Sequence, residues 1–262
     1  MHPGLWISKT GLESQQTGVS VISNNISNAS TVGYKKGRAV FEDLLYQTIN
    51  QPGGVSSQNS SLPTGLMLGT GSRVTATQKS FTQGNLITTN DALDVMIDGQ
   101  GFFVVSLPNG DPAYTRAGQF TKDADGQIVM PSNGFVVMPG IAIPADATSI
   151  TISREGEVSV KLAGDPQEQV IGQFEMADFI NPAGLQPIGN NMFVETSASG
   201  APIGGVPTVD GFGSIRQGSL ETSNVNVAEE LVNLIQAQRI YEMNAKVISS
   251  VDQMLGFVNQ NV

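Results

Sequence analysis

Residues 223–258 read as one amphipathic helix, and no other stretch constrains the chain as much. Val227, Leu234, Tyr241, Ile248 and Leu255 recur every seven residues, with Leu231 and Ala245 at companion positions. That is the spacing of a narrow coiled-coil seam. At 1.5 Å per residue, roughly 30 residues of helix span about 45–50 Å. Asn226 suits the N-cap with Glu229 at the third position after it, and Glu229 and Glu230 put acid where the helix dipole favours it. Gln238 and Asp252 interrupt the seam, which suits contact with several neighbours better than a single zipper partner. A lone helix is marginal in water, so this one demands a partner. The opposite end of the chain offers one: Leu5, Leu12, Val19 and Ile26 also recur every seven residues, with Ile22 on the same face. Two complementary seams at opposite termini predict a discontinuous helical domain, with the rest of the chain inserted into it.

Taken in order, residues 1–28 form the first helix. It is ended by Asn24-Asn25-Ile26-Ser27-Asn28-Ala29-Ser30-Thr31, whose side chains compete for backbone hydrogen bonds, and by Gly33. Lys35, Lys36 and Arg38 then read as a solvated basic patch. Val40, Phe41, Leu44, Leu45 and Ile49 mark a short helix or an extended arm, and residues 51–71 form a long loop rich in Gly, Ser, Asn and Pro. From about Arg73 the apolar period changes to two. Turn signals recur at Asn109-Gly110, Asp125-Gly126, Asn133-Gly134 and Glu155-Gly156, the mark of many short strands in a partly closed barrel or sandwich. The expected fold is α+β. Long N- and C-terminal helices pair as a coiled-coil-like domain (1–30 plus 223–262), a linker or extended arm covers 31–72, and an all-β domain covers 73–222. One echo stands out: Gln83-Gly84-Asn85-Leu86-Ile87-Thr88-Thr89-Asn90 repeats as Gln217-Gly218-Ser219-Leu220-Glu221-Thr222-Ser223-Asn224. Two similar turn-strand segments, adjacent in space, are the physical reading.

The chemistry expected of an enzyme is missing. With 13 Lys+Arg against 23 Asp+Glu the net charge is −10, which argues against nucleic acid and anionic membrane surfaces as partners. Only 14% of residues are charged, a polar but weakly charged surface that suits self-packing. There is no cysteine, and His2 is the one histidine. No thiolate metal site or cysteine nucleophile exists, and a Ser-His-Asp triad built on His2 is improbable. No apolar run approaches 18 residues, so no membrane-spanning helix is expected. The first 28 residues lack the basic start and apolar core of a secretory signal, so export would need another route. Asp123-Ala124-Asp125-Gly126 fails the EF-hand register and reads as a hairpin turn. Gly99-Gln100-Gly101 lacks the third glycine of a dinucleotide fingerprint. Asp91, Asp94 and Asp98 are the best carboxylate set for a glycan hydrolase, although acids near strand ends usually form turns. No catalytic residue, metal ligand or cofactor is expected, which points to an assembly protein. A surface adhesin built on the β region would leave both terminal seams unexplained.

Several stretches resemble the axial proteins of the bacterial flagellum. Near the start these are Asn24-Asn25-Ile26-Ser27-Asn28-Ala29-Ser30-Thr31-Val32-Gly33-Tyr34-Lys35-Lys36 and Phe41. Near the end they are Gln217-Gly218-Ser219-Leu220-Glu221-Thr222-Ser223-Asn224-Val225-Asn226-Val227, Ala237-Gln238-Arg239-Ile240-Tyr241-Glu242-Met243-Asn244 and Asp252-Gln253-Met254-Leu255. Gly84-Asn85-Leu86 and Gly99-Gln100-Gly101-Phe102-Phe103 also resemble rod and hook proteins. The run from Val40 to Ile49, leading into Gln51-Pro52-Gly53, is similar to the distal rod members in particular. The resemblance implies a structural, non-enzymatic subunit of the basal body, in a tubular rod that carries torque from motor to hook across the periplasm to the outer membrane. Terminal helices of many copies would line the inner tube, with the β domain outside. Implied partners are other copies, proximal rod proteins, the hook protein, the P-ring and L-ring proteins, a rod-capping protein and the flagellar type III export apparatus, with export free of a cleaved signal. The distinctive segment makes Tyr46, Gln47, Ile49, Gln51, Pro52, Leu62 and Pro63 candidates for an arm that stiffens the rod. The alternatives are a proximal rod or hook-type protein of the same family, and a periplasmic glycan-acting enzyme.

Overall fold

The computed structural model describes residues 3–52, 55–57, 60–61, 64–164 and 167–260. It is an α+β protein: a long helix near each end brackets many short strands. The chain divides into two units. Unit 1 comprises Met1–Ser27, Gly37–Lys79 and Asn226–Val262; unit 2 comprises Asn28–Lys36 and Ser80–Val225.

In unit 1, α1 (Pro3–Ser27) and α2 (Val227–Gln260) run antiparallel. Asn25 meets Glu230 near one end, and Gly11 meets Asn244 further along. The C-terminal helix begins at Val227, the first residue of the seven-residue pattern, with Asn226 as the expected N-cap. The Asn226 side-chain oxygen accepts the amides of Ala228 (3.1 Å) and Glu229 (3.4 Å), an N-cap that leaves residues 223–226 outside the helix. Residues 39–49 are extended rather than helical. Here β1 (Gly37–Asp43) lies in the long antiparallel pair of this unit, while β2 (Gln47–Asn50), β3 (Val55–Ser57), β4 (Ser60–Ser61) and β5 (Leu66–Leu68) form smaller pairs, β2 with β5 and β3 with β4. The partner of β1 is β6 (Ser72–Lys79), in a register from Gly37 opposite Lys79 to Asp43 opposite Ser72, with a shift at Val40/Phe41.

Among the described residues, unit 2 is all β apart from a single 3-10 turn. It opens with β7 (Leu86–Thr88), β8 (Val95–Asp98), β9 (Phe102–Ser106), β10 (Pro112–Thr115), β11 (Thr121–Lys122) and β12 (Ile128–Val129). A three-stranded meander follows: β13 (Ala147–Ile152), β14 (Glu157–Leu162) and β15 (Glu168–Gln173). The last strands are β16 (Met176–Asp178), β17 (Gln186–Gly189), β18 (Met192–Val194), β19 (Ile203–Gly205), β20 (Ser214–Gln217) and β21 (Ser219–Glu221). The predicted turns join neighbours: Asn109-Gly110 connects β9 to β10, Asp125-Gly126 connects β11 to β12, and Glu155-Gly156 connects β13 to β14.

The largest sheet has six strands in the order β17-β18-β10-β9-β16-β19. One core cluster is built from Val95, Ile97, Phe103, Val105, Ile128, Val158, Val160, Phe174 and Ile215 with their neighbours. A second, smaller one gathers Phe102, Tyr114, Ala177, Phe179, Leu185 and Phe193. Period two explains the pair, because Phe102 and Phe103 are successive residues of one strand and join different clusters. The second cluster is held by edge-to-face rings, with Tyr114 and Phe179 centroids 4.7 Å apart.

The sequence echo is physical. Its two copies supply β7 and β21, which pair antiparallel with Leu220 opposite Ile87. Gly84, at the head of the first copy, must be glycine, since a Cβ there would collide with the Thr222 carbonyl oxygen of the second.

Candidate assembly surfaces

The buried stripe of α1 is small and polar. Ser8, Thr10, Ser14, Gly18 and Asn25 are its buried residues. Ser14 Oγ donates to the Ser72 carbonyl at 3.2 Å, and a Cβ on Gly18 would sit 3.4 Å from the Phe41 ring. Asn25 clasps the backbone of Gly37 from both sides: its Nδ2 donates to the carbonyl (2.8 Å) and its Oδ1 accepts the amide (2.9 Å). The same Nδ2 reaches Glu230 Oε2 at 3.1 Å. Small side chains let α1 approach β1, β6 and α2 closely. Leu5, Leu12, Val19, Ile22 and Ile26 flank this stripe and are each half-buried, while Trp6 and Ile7 are exposed.

On α2 the seven-residue phase differs from that of the apolar repeat. Glu230, Ala237 and Val251 are buried, with Leu234, Asn244 and Ile248 half-buried beside them. Leu234 and Ile248 of the sequence-derived seam therefore face into the unit. Val227, Leu231, Tyr241, Ala245 and Leu255 remain exposed, Leu231 by 46% and Tyr241 by 45%. Val232, Ile235, Met243, Val247 and Met254 are exposed as well. A helix apolar on most sides is a buried helix by nature, and one protomer covers only a narrow stripe of it.

The arm is a ribbon. Strands β2 and β5 pair with Gln47 opposite Leu68, Thr48 opposite Met67 and Asn50 opposite Leu66. Leu45, Tyr46, Ile49, Leu66, Met67 and Leu68 are all exposed large apolar residues, and Gln47, Gln51 and Pro52 are exposed too. Two strands alone are marginally stable in water, so such a surface asks for a neighbour. Leu62 and Pro63 lie outside the described residues.

Unit 2 holds a feature that sequence reasoning missed. Lys35 does not belong to a solvated patch: it is 1% exposed. Its Nζ donates to Glu221 Oε1 at 2.6 Å and to the Thr82 carbonyl at 2.8 Å. Glu221 Oε1 also accepts the Gly84 amide, and Arg116 Nη1 stands 3.7 Å from Glu221 Oε2. Burial pushes the Lys35 ammonium down from its ordinary value, opposed by the charge and hydrogen bond of Glu221, with Arg116 pushing down further. Arg116 is lowered by burial as well, opposed by Glu221 and Asp178, and its guanidinium lies over the Phe102 ring at 5.2 Å. Close by, Asn224 joins three stretches of chain. Its Oδ1 accepts the Lys36 amide (2.7 Å), and its Nδ2 donates to the carbonyls of Ser80 (2.9 Å) and Thr82 (3.1 Å). The legible signal was the motif itself, since Lys35 and Glu221 both sit in the quoted terminal stretches; which charge met which was not.

Of the aspartates raised as candidate catalysts, Asp91 and Asp98 engage their carboxylates in structural hydrogen bonds, and Asp94 bonds through its backbone. Asp91 Oδ1 accepts the Leu93 amide in a turn, the Asp94 carbonyl accepts the Gly218 amide, and Asp98 Oδ1 accepts a hydrogen bond from Gln83.

Three family descriptions match this chain: "Flagella basal body rod protein" over residues 6–35, "Flagellar hook protein FlgE/F/G D1 domain" over 96–160, and "Flagellar basal body rod FlgEFG protein C-terminal" over 216–261. The flagellar basal-body rod protein FlgG of Buchnera aphidicola subsp. Acyrthosiphon pisum is 52% identical over 260 residues, 99% of this chain and 100% of that one. The chain belongs to the FlgG family of flagellar basal-body rod proteins. Other FlgG proteins are similar over nearly the same span. That of Borreliella burgdorferi is 47% identical, covering 99% of this chain and 98% of its own. That of Bacillus subtilis is 37% identical and covers 97% of each. As a family member the chain is a structural component of the flagellum, in the distal rod, and not an enzyme. The first of the three family matches takes in most of α1 and extends to Lys35; the last takes in β21, with Glu221, and α2. No helix among the described residues is long and apolar enough to cross a membrane.

Proposed function

We propose that this rod protein polymerises through α1 and α2 into the wall of the distal rod, a tube that carries torque from the motor to the hook. The two helices pair as a coiled-coil-like element. The exposed Val227, Leu231, Tyr241, Ala245 and Leu255 on α2 and the half-buried Leu5, Leu12, Val19, Ile22 and Ile26 on α1 pack on neighbouring copies. The observation that carries this reading is the apolar surface left exposed around α2 in a single protomer. A head-to-tail contact that does not close on itself propagates a helical filament. In domain terms, 1–30 plus 223–262 form the inner tube, 31–72 the arm, and 73–222 the outer layer. Proximal rod proteins, the hook protein, the P- and L-ring proteins and a rod-capping protein are the neighbours of such a rod, and the flagellar type III apparatus exports the subunit without a cleaved signal.

Electron microscopy of the purified chain at high concentration tests the reading, beside a variant lacking 1–29 and 227–262. Tubes are expected from the full chain and none from the variant; tubes from the truncated variant would move the interface into the β region and overturn it. The arm has its own test. Deleting residues 46–63 is expected to leave assembly intact and give tubes that bend more, read as a shorter persistence length in micrographs. An unchanged persistence length would remove the arm from the stiffening role.

A further inference from the structure

Charge is distributed unevenly along this chain. Unit 1 carries six Lys and Arg against seven Asp and Glu, a net −1; unit 2 carries seven against sixteen, a net −9. No Lys or Arg lies between Lys161 and Arg216, a stretch that holds six of those acids. Within it the edge strand β19 borders an open trough of about 520 Å³. Val104, Tyr114, Pro202, Gly204 and Val206 line it, and Glu175 stands among them. The volume lies within the range of roughly 300–1,000 Å³ usual for binding pockets.

Acids on a surface are ordinarily just solvated. The second observation here is Tyr114. Its side chain is 98% removed from solvent (2% exposed), yet its hydroxyl has no hydrogen-bond partner among the described residues, and the residue lines the trough. Burial holds the phenol in its neutral form, and the nearby Glu195 carboxylate reinforces this. Neither Glu175 nor Glu195 makes an ion pair among the described residues. The trough thus combines an aliphatic wall, a tyrosine hydroxyl that lacks a partner among the described residues and the unpaired Glu175 carboxylate, with the unpaired Glu195 near Tyr114.

We propose that this trough is a docking site for a basic, extended segment of a different protein, with a Lys or Arg side chain laid along Val104 and Val206 and its charged head at Glu175, and with Glu195, near Tyr114, drawing a second cation of the same segment. Long cationic side chains are built for such a site, with an apolar stem and a strongly solvated tip. The edge of β19 adds unpaired backbone groups beside the trough, on which an extended segment finds main-chain partners. A second copy of this chain is the poorer occupant. Its densest cationic run, Lys35-Lys36-Gly37-Arg38, is already committed: Lys35 to Glu221, and Arg38 to Gln78 at 2.7 Å. The copy would also bring another unit of charge −9.

The test uses the full chain, kept below the concentration at which it assembles, and a fluorescein-labelled peptide, Thr-Val-Lys-Val-Arg-Thr with a blocked C-terminus. Anisotropy is read against a peptide with both cations replaced by Glu. The basic peptide is expected to saturate one site, and the acidic one to stay free. The double variant Glu175→Gln/Glu195→Gln is expected to weaken binding at least tenfold, and Tyr114→Phe about threefold. Asp123→Asn/Asp125→Asn, on the hairpin between β11 and β12, removes the same charge away from the trough and is expected to change affinity less than twofold. Equal losses for the two double variants would show diffuse attraction to an acidic surface and overturn the site. Absence of saturable binding, or binding indifferent to Glu175, Glu195 and Tyr114, would overturn it too.

Discussion

Glu221→Ala is expected to be the most damaging single substitution in unit 2. It removes the carboxylate that faces both Lys35 and Arg116, which are 1% and 5% exposed, and leaves Lys35 buried without its ion-pair partner and Arg116 with only the weaker pull of Asp178. Breaking a buried pair from one side costs roughly 3–5 kcal/mol, a large share of a typical domain stability of about 5–15 kcal/mol. At about 2–4 °C per kcal/mol for a unit of this size, the melting temperature should fall by on the order of 10 °C. The double variant Glu221→Ala/Lys35→Met should recover part of the loss, because one of the stranded charges goes with the carboxylate. Calorimetry on the unassembled chain reads both. A shift under about 2 °C for Glu221→Ala would mean that the cluster contributes little.

Leu231→Asp/Tyr241→Asp is expected to abolish tube formation while leaving the protomer folded. Both side chains are nearly half exposed in the protomer, so a change there removes little from the fold. Covered by a neighbour, each would contribute about 1.5–3 kcal/mol of apolar burial, and the new carboxylates would be buried without partners. Each 1.4 kcal/mol is tenfold in affinity, so the concentration needed for assembly should rise by more than about 100-fold. Sedimentation reads the polymer, and circular dichroism checks that the helices of the protomer are kept. Tubes formed at the parent concentration would place the interface elsewhere. Ala237→Asp is the contrasting variant: Ala237 is buried inside unit 1, so its change should disturb the protomer itself.

The existence and limits of the helices were legible because their signals are local. A seven-residue repeat, an Asn before the first turn and a Gly beyond the last one act within a few residues of the structure they specify. The same holds for the hairpin turns at Asn109-Gly110 and Asp125-Gly126. The echo was legible as well, since two segments of one pattern supplied two paired strands.

What the tertiary structure alone decided are the meetings of residues far apart in sequence. The six-stranded sheet runs β17-β18-β10-β9-β16-β19, an order that no alternation pattern contains. Lys35 meets Glu221 across 186 positions, and the loss of solvent that forces them together is a property of the packed unit and not of either segment. The helix faces divide along the same line. An amphipathic pattern states that apolar residues will be covered, but not by what. In this protomer the closest approaches went to Ser14, Gly18 and Asn25, because small and hydrogen-bonding side chains let backbones come near, and the larger apolar residues of α2 were left on the outside.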